Sequence, residues 1–120
     1  MKFMVSLITD GSAMEGMTPE EMSDFGRRMG EYMEQIRSAG VLVNTGRLGP
    51  ADAARTIRPG DGESVVTDGP FAETKEQIGG YMVLECEDLD AAVAWVERMP
   101  VLGGALEVRP ITDYDERANA

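Results

Sequence analysis

Histidine is absent from this sequence, and cysteine occurs once, at Cys86. These two gaps remove whole classes of chemistry. A Ser–His or Cys–His nucleophile needs an imidazole to take its proton, and none is present. Zinc held by nitrogen and sulfur needs more such ligands than one chain of this composition supplies. A lone cysteine forms no intrachain disulfide, which fits a reducing, cytoplasmic setting. Basic residues are also scarce: 11 Lys and Arg stand against 22 Asp and Glu, for a formal net charge of −11. Phosphate backbones and anionic lipids bind basic patches, so this balance argues against direct nucleic-acid binding and against a membrane surface. Long apolar runs are missing too. Met1–Val5 is too short for a signal peptide, and nothing approaches the roughly 20 apolar residues of a membrane span. There is no GxGxxG after a strand and no Walker sequence; Gly60-Asp61-Gly62 reads as a turn. The acidic clusters at 85–90 and 113–116 lack calcium-loop spacing and read as solvated faces. No metal and no cofactor are expected.

What remains is ordinary globular composition, 42% apolar and 28% charged, at the 120-residue length of a single domain. Lys2–Thr9 reads as a strand closed by the turn-prone Asp10-Gly11-Ser12. Thr18-Pro19-Glu20-Glu21 is a helix start: Thr18 caps, Pro19 fits the first helical position and Glu21 completes a capping box, with Met17 and Met22 spaced as a hydrophobic staple. Met22, Phe25, Met29, Tyr32, Met33 and Ile36 form one apolar face. Gly26 and Gly30 lie beside that face, where close backbone packing would justify them. Gly40 ends the helix, with Val41 placed for a Schellman contact to Ile36.

Val41–Leu48 reads as a second strand, and Ala54–Arg58 with Glu63–Thr67 as a hairpin. Asp68-Gly69-Pro70-Phe71 breaks regular structure, and the polar stretch 72–78 reads as loop or a helical turn. Gly80–Glu87 alternates as a strand, with Met82, Leu84 and Cys86 on one face and Tyr81, Val83 and Glu85 on the other. Asp88 caps a second helix carrying Leu89, Ala92, Val93, Val96 and Met99, flanked by Trp95 and stopped at Pro100. Leu106–Ile111 is the last strand. The expected organisation is one domain over 1–112 and a charged tail over 113–120. Two β–α–β units around a hairpin insertion predict an α+β, ferredoxin-like protomer with both helices on one sheet face. The other face would need a cover, and a second subunit is the simplest one.

The run from Val66 to Tyr81, with Asp68-Gly69-Pro70-Phe71 at its centre, resembles the signature of the DGPF branch of the YCII-related family. The Thr18–Glu21 helix start, Ala39-Gly40-Val41-Leu42 and the Gly104–Ile111 segment resemble it as well, so the likeness covers nearly the whole chain. The resemblance implies a homodimer in which two ferredoxin-like protomers form an α/β-barrel, with a cleft between sheet and helix or at the dimer interface. Members of this branch are often encoded beside alternative sigma factors, and some carry a transcription-initiation label. The wider family includes proteins with a His–Asp pair proposed as catalytic. With no histidine here, Asp68 is the one remaining counterpart.

Asp68, Lys75 and Glu76 are the candidate polar site. A carboxylate and an ammonium in one loop bind a polar ligand or, where burial shifts their pKa values, move protons. The alternative is that Asp68 closes an Asx-turn while Lys75 and Glu76 are solvated. Phe71 either lines a pocket or anchors its loop in the core. Arg47 and Arg109 either meet an anionic ligand or pair with neighbouring carboxylates. Tyr81 either hydrogen-bonds in a pocket or packs on the sheet. The nine methionines read as flexible core filler or a binding surface. Cys86 reads as a buried, inert thiol. The leading expectation is a dimer that binds a small polar molecule, or a proton-transfer enzyme, with its cleft near the DGPF loop. The alternatives are a regulatory module that binds a sigma factor, and a scaffold with a vestigial site.

Overall fold

Two β–α–β units interleave to make one sheet. The computed structural model describes residues 1–74 and 76–112. The first unit is β1 (Lys2–Thr9), α1 (Pro19–Ser38) and β2 (Leu42–Arg47); the last is β5 (Gln77–Glu85), α2 (Leu89–Glu97) and β6 (Ala105–Pro110). Between them lie a short 3-10 turn (Ala51–Ala53) and a hairpin of β3 (Arg55–Arg58) and β4 (Val65–Asp68). The main sheet runs β2-β5-β1-β6 with every neighbouring pair antiparallel.

Local chemistry fixes the helix ends. The Thr18 hydroxyl accepts the Glu21 N–H at 3.1 Å, and the Glu21 carboxylate accepts the Thr18 N–H at 3.2 Å, so two donors that a helix start leaves unpaired find partners. At the other end Gly40 takes φ +73°, and the Val41 N–H donates to the Ile36 carbonyl at 3.2 Å, the expected Schellman closure. Asp88 caps α2 by accepting the Ala91 N–H at 2.8 Å. The ion pairs of Asp24 with Arg27 and Arg28, and of Arg27 with Glu31, all lie on the exposed side of α1 and add little.

The helix-facing side of the sheet is built in cross-strand layers. Phe3 pairs with Leu84, Val5 with Met82 and Val108, and Leu7 with Gly80 and Leu106. The first two layers lie under Tyr32 and Ile36 of α1 and Ala92 and Val96 of α2, all buried. The Tyr32 hydroxyl donates to the Trp95 carbonyl at 2.8 Å and ties the two helices together. Burial weakens that tyrosine's acidity, with Arg98 partly offsetting the effect. Arg98 also stacks on Trp95 and donates to Gln35 at 2.6 Å.

The opposite face carries Met4, Ser6, Ile8, Tyr81 and Val83, none of them buried. Neither helix packs there, which leaves the uncovered face that the strand pattern predicts.

Three sequence expectations change. Strand β5 begins at Gln77, inside the stretch read as loop, and crosses Gly79-Gly80 by a bulge opposite Leu7 and Ile8. Glycines carry no hydropathy signal, so the alternation looked shorter than the strand. Met22 stands exposed rather than on a packed face. Gly26 and Gly30 have nothing within 4 Å of an added Cβ, so close packing is not their reason. Gly30→Ala is therefore expected to raise stability by about 0.5–1 kcal/mol, because alanine loses less backbone entropy in a helix. A higher urea midpoint at unchanged slope would show it; a lower midpoint would mean that the glycine is covered by something outside the protomer.

The β3–β4 hairpin is an arm. Its strands pair only with each other. Its base is closed by Gly69 N–H to the Ala54 carbonyl at 2.7 Å and by the Thr56 hydroxyl to the Gly69 carbonyl at 2.9 Å, both bonds between its own two legs. Ile57, Val65 and Val66 on it are exposed. The radius of gyration is 17.2 Å, against about 14 Å for a compact chain of this length.

Candidate functional site

Helix α1 is about 30 Å long, and only its C-terminal half seals against the sheet. Ile36 and Tyr32 are buried, whereas Met33, Met29 and Phe25 are only partly so. Beneath that N-terminal half the third sheet layer contains Gly80, where a side chain would otherwise fill the space. The result is a cleft of about 930 Å³. Its floor is Val5, Leu7, Gly80, Met82 and Leu106, its roof Phe25, Met29 and Met33, and its walls the loops 9–14, 48–51 and 99–103. That volume falls within the usual range for small-molecule sites.

The lining is mainly apolar and soft. Met14, Met29, Met33, Met82 and Met99 all reach it, five of the nine methionines in the sequence. Three of them come from separate loops or strands and two from α1, so this concentration has no linear signature. The polar lining side chains are mostly spent on the chain itself. Asp10 accepts from the Ser12 N–H and hydroxyl at 2.9 and 2.5 Å. The Thr45 hydroxyl donates to the Tyr81 carbonyl at 2.9 Å, and the Gln77 amide donates to the Ala72 and Thr74 carbonyls at 2.8 and 3.1 Å.

The candidates named from sequence separate in space. Arg47 lines the cleft; Tyr81 borders it on β5, with its side chain on the uncovered face. Arg47 sits opposite Gly80 on the helix-covered side. Tyr81 lays its ring across Gly46 of the adjacent strand, so an added Cβ there would touch it at 2.6 Å. Arg109 pairs with Met4 on the uncovered face and is exposed. Asp68 lies on the arm, 90% exposed, with the Arg55 side chain at 3.7 Å across the hairpin; this cross-strand contact replaces the Asx-turn. Phe71 is 78% exposed and meets the Arg58 guanidinium at 5.4 Å, so it neither lines the cleft nor anchors in the core. Glu76 is exposed, its carbonyl accepting the Thr74 hydroxyl at 2.6 Å. Lys75 and the tail 113–120 lie outside the described residues. Cys86 is half-buried, and burial raises its thiol pKa, which lowers its reactivity. No group of metal-ligating side chains occurs among the described residues. None of the described helices is long and apolar enough to cross a membrane.

The YCII-related domain pattern matches residues 1–115. This chain belongs to the YCII-related family. An uncharacterized protein of Rhizobium meliloti (strain 1021) is 35% identical over 117 residues, covering 95% of this chain and 94% of that protein. Among solved structures the fold is similar to 5-chloro-2-hydroxyhydroquinone dehydrochlorinase (TftG) of Burkholderia phenoliruptrix AC1100, determined in complex with 2,5-dihydroxybenzoquinone. The TM-score is 0.52 at 18% identity, over 97% of this chain and 98% of that one. At that identity the likeness speaks to the fold: a small α+β domain with an antiparallel sheet and two helices is the architecture of this YCII-related protein.

Proposed function

We propose that this YCII-related protein binds a small molecule in the cleft between α1 and the sheet, as one half of a homodimer. The cleft is the observation that carries the reading: it is roomy, mainly apolar, and floored by a strand that has Gly80 where a large residue would close it. A protein of similar fold, the dehydrochlorinase, was solved with a small cyclic ligand, so the architecture accommodates such a molecule. Any proton transfer in the cleft falls to Asp10, the one carboxylate among its described lining residues. Asp68-Gly69-Pro70-Phe71 supports placing the chain in the DGPF branch, and in this reading that motif shapes the arm rather than the cleft.

Thermal shift against a panel of metabolites tests the binding. A ligand at about 100 times its dissociation constant adds about 2.7 kcal/mol of stability. Met29→Trp, which fills the roof of the cleft, is expected to abolish the shift. A hit that survives this substitution would move the site elsewhere.

The dimer rests on the uncovered sheet face and on the arm. Met4, Ile8, Tyr81 and Val83 form an apolar centre, and Lys2, Arg109, Glu85 and Glu107 carry both signs of charge around it. Such a surface complements its own copy under two-fold rotation. An isolated two-stranded hairpin is marginal in water, and a second subunit gives the arm something to pack on. Val83→Lys is expected to convert the dimer to monomer in sedimentation equilibrium. A wild-type chain that sediments as a monomer at micromolar concentration would remove the dimer from the proposal.

A further inference from the structure

We infer that the occupant of the cleft is a small aromatic anion, its ring held by the methionines and its charge by Arg47. This rests on the cleft being the ligand site and names the chemistry it selects. The methionine thioethers are polarizable and flexible, and sulfur meets aromatic rings favourably at the edge. Phe25 adds a ring of its own to the roof. An aliphatic chain would gain only area from such a wall, whereas an aromatic ring gains area and the sulfur contacts together.

Arg47 is the one cation among the described lining residues. It has no ion pair or side-chain hydrogen bond with any other described residue. The cleft therefore presents one guanidinium, with its five N–H donors unspent, beside polar neighbours whose own groups are already committed. A planar fork of this kind matches a carboxylate or sulfonate bidentately. The placement follows from the register. Opposite Gly80, on an edge strand of the sheet, Arg47 faces a position with no side chain to block it.

The protein's charge of −11 repels anions at long range, within the reach that salt leaves unscreened. An anionic ligand must therefore depend on the local cation. Removing Arg47 takes away the one cation among the described lining residues, so the expected loss for anions is large and selective.

A pair of fluorescent dyes tests this on the full chain: anilinonaphthalene sulfonate, and uncharged phenylnaphthylamine, which shares its ring system. For the wild-type protein the sulfonate dye is expected to bind about tenfold or more tighter than it does to Arg47→Gln, while the uncharged dye binds both alike. Arg47→Lys is expected to recover part of the difference. Met29→Trp and Leu102→Trp, which fill opposite walls, should block both dyes; two variants are used so that one misfolded protein does not decide the result. If Arg47→Gln weakens neither dye, or weakens both equally, the anion assignment is wrong while the cleft still stands as a site. If both filled variants bind the dyes as the wild type does, the dyes sit elsewhere, and the cleft reading falls together with the ligand class.

Discussion

Phe3→Ala is expected to lower the free energy of unfolding by about 3–5 kcal/mol. Phe3 is fully buried, in register with Leu84 on one side and Pro110 on the other. Removing its ring takes away the transfer energy of a large apolar group and leaves a void. Its cross-strand neighbours have little freedom to fill it: Leu84 is itself fully buried in the middle of the sheet, and Pro110 is held in the β6 ladder. Domains of this kind hold about 5–15 kcal/mol in total, so this one change removes roughly a fifth of the stability or more. Urea unfolding would show a lower midpoint at constant slope. Leu7→Ala, four residues along the same strand and on the same face, is the informative comparison. Leu7 is only partly buried and already borders the cleft, so truncation enlarges an existing space rather than opening a new one. About 1–2 kcal/mol is expected there. A loss at Leu7 equal to that at Phe3 would mean that the cleft is closed in solution.

Gly104→Ala is expected to cost about 3 kcal/mol or more, while Gly103→Ala costs only about 1–2. Both glycines take positive φ, +83° and +76° in chain order, so alanine at either suffers the same backbone penalty. They differ in what surrounds them. Nothing lies within 4 Å of a Cβ built on Gly103, whereas one built on Gly104 runs into the Ile8 carbonyl. That carbonyl belongs to the central strand β1, which pairs with β5 and β6. Relief would have to come from shifting the start of β6 away from β1. The same loop forms a wall of the cleft, so a partly folded Gly104→Ala protein should also lose dye binding. Paired urea titrations measure the difference; equal losses at the two positions would show that the β1–β6 edge yields easily.

Where local chemistry determines local structure, the sequence was a good guide. The capping box at Thr18, the Schellman turn at Gly40 and the Asp88 cap each involve a few adjacent residues, and each formed as expected. Period-two alternation also separates Met82 and Leu84 from Tyr81 and Val83, and the structure makes the first pair core and the second the uncovered side. The cleft was not legible, because it exists where a helix and a sheet diverge. Its marker, Gly80, looks like the start of a strand when read along the chain. Its methionines come from four parts of the chain, two of them from α1, and only tertiary packing brings those parts together. The loudest motif, Asp68-Gly69-Pro70-Phe71, lies on the arm and not among the residues that line the cleft. Its residues encode a bend, with Gly69 at φ +96°, and a distinctive bend stands out in sequence whether or not a ligand is near. Arg47 stands out in the sequence by alternation with apolar neighbours, but the face it takes is set by an irregularity of β2 between Leu42 and Asn44 that plain alternation does not show.

The division of the sheet into sealed and open layers has an evolutionary corollary. Among the buried residues that hold this fold together, Phe3, Leu84, Ile36 and Val96 lie away from the cleft that Phe25, Met29, Arg47 and Leu102 touch, and only Val5, Met82 and Gly80 are buried and border it as well. Descendants of such a chain can exchange one set freely while the other stays frozen. Paralogues would then diverge in what they recognise long before they diverge in shape.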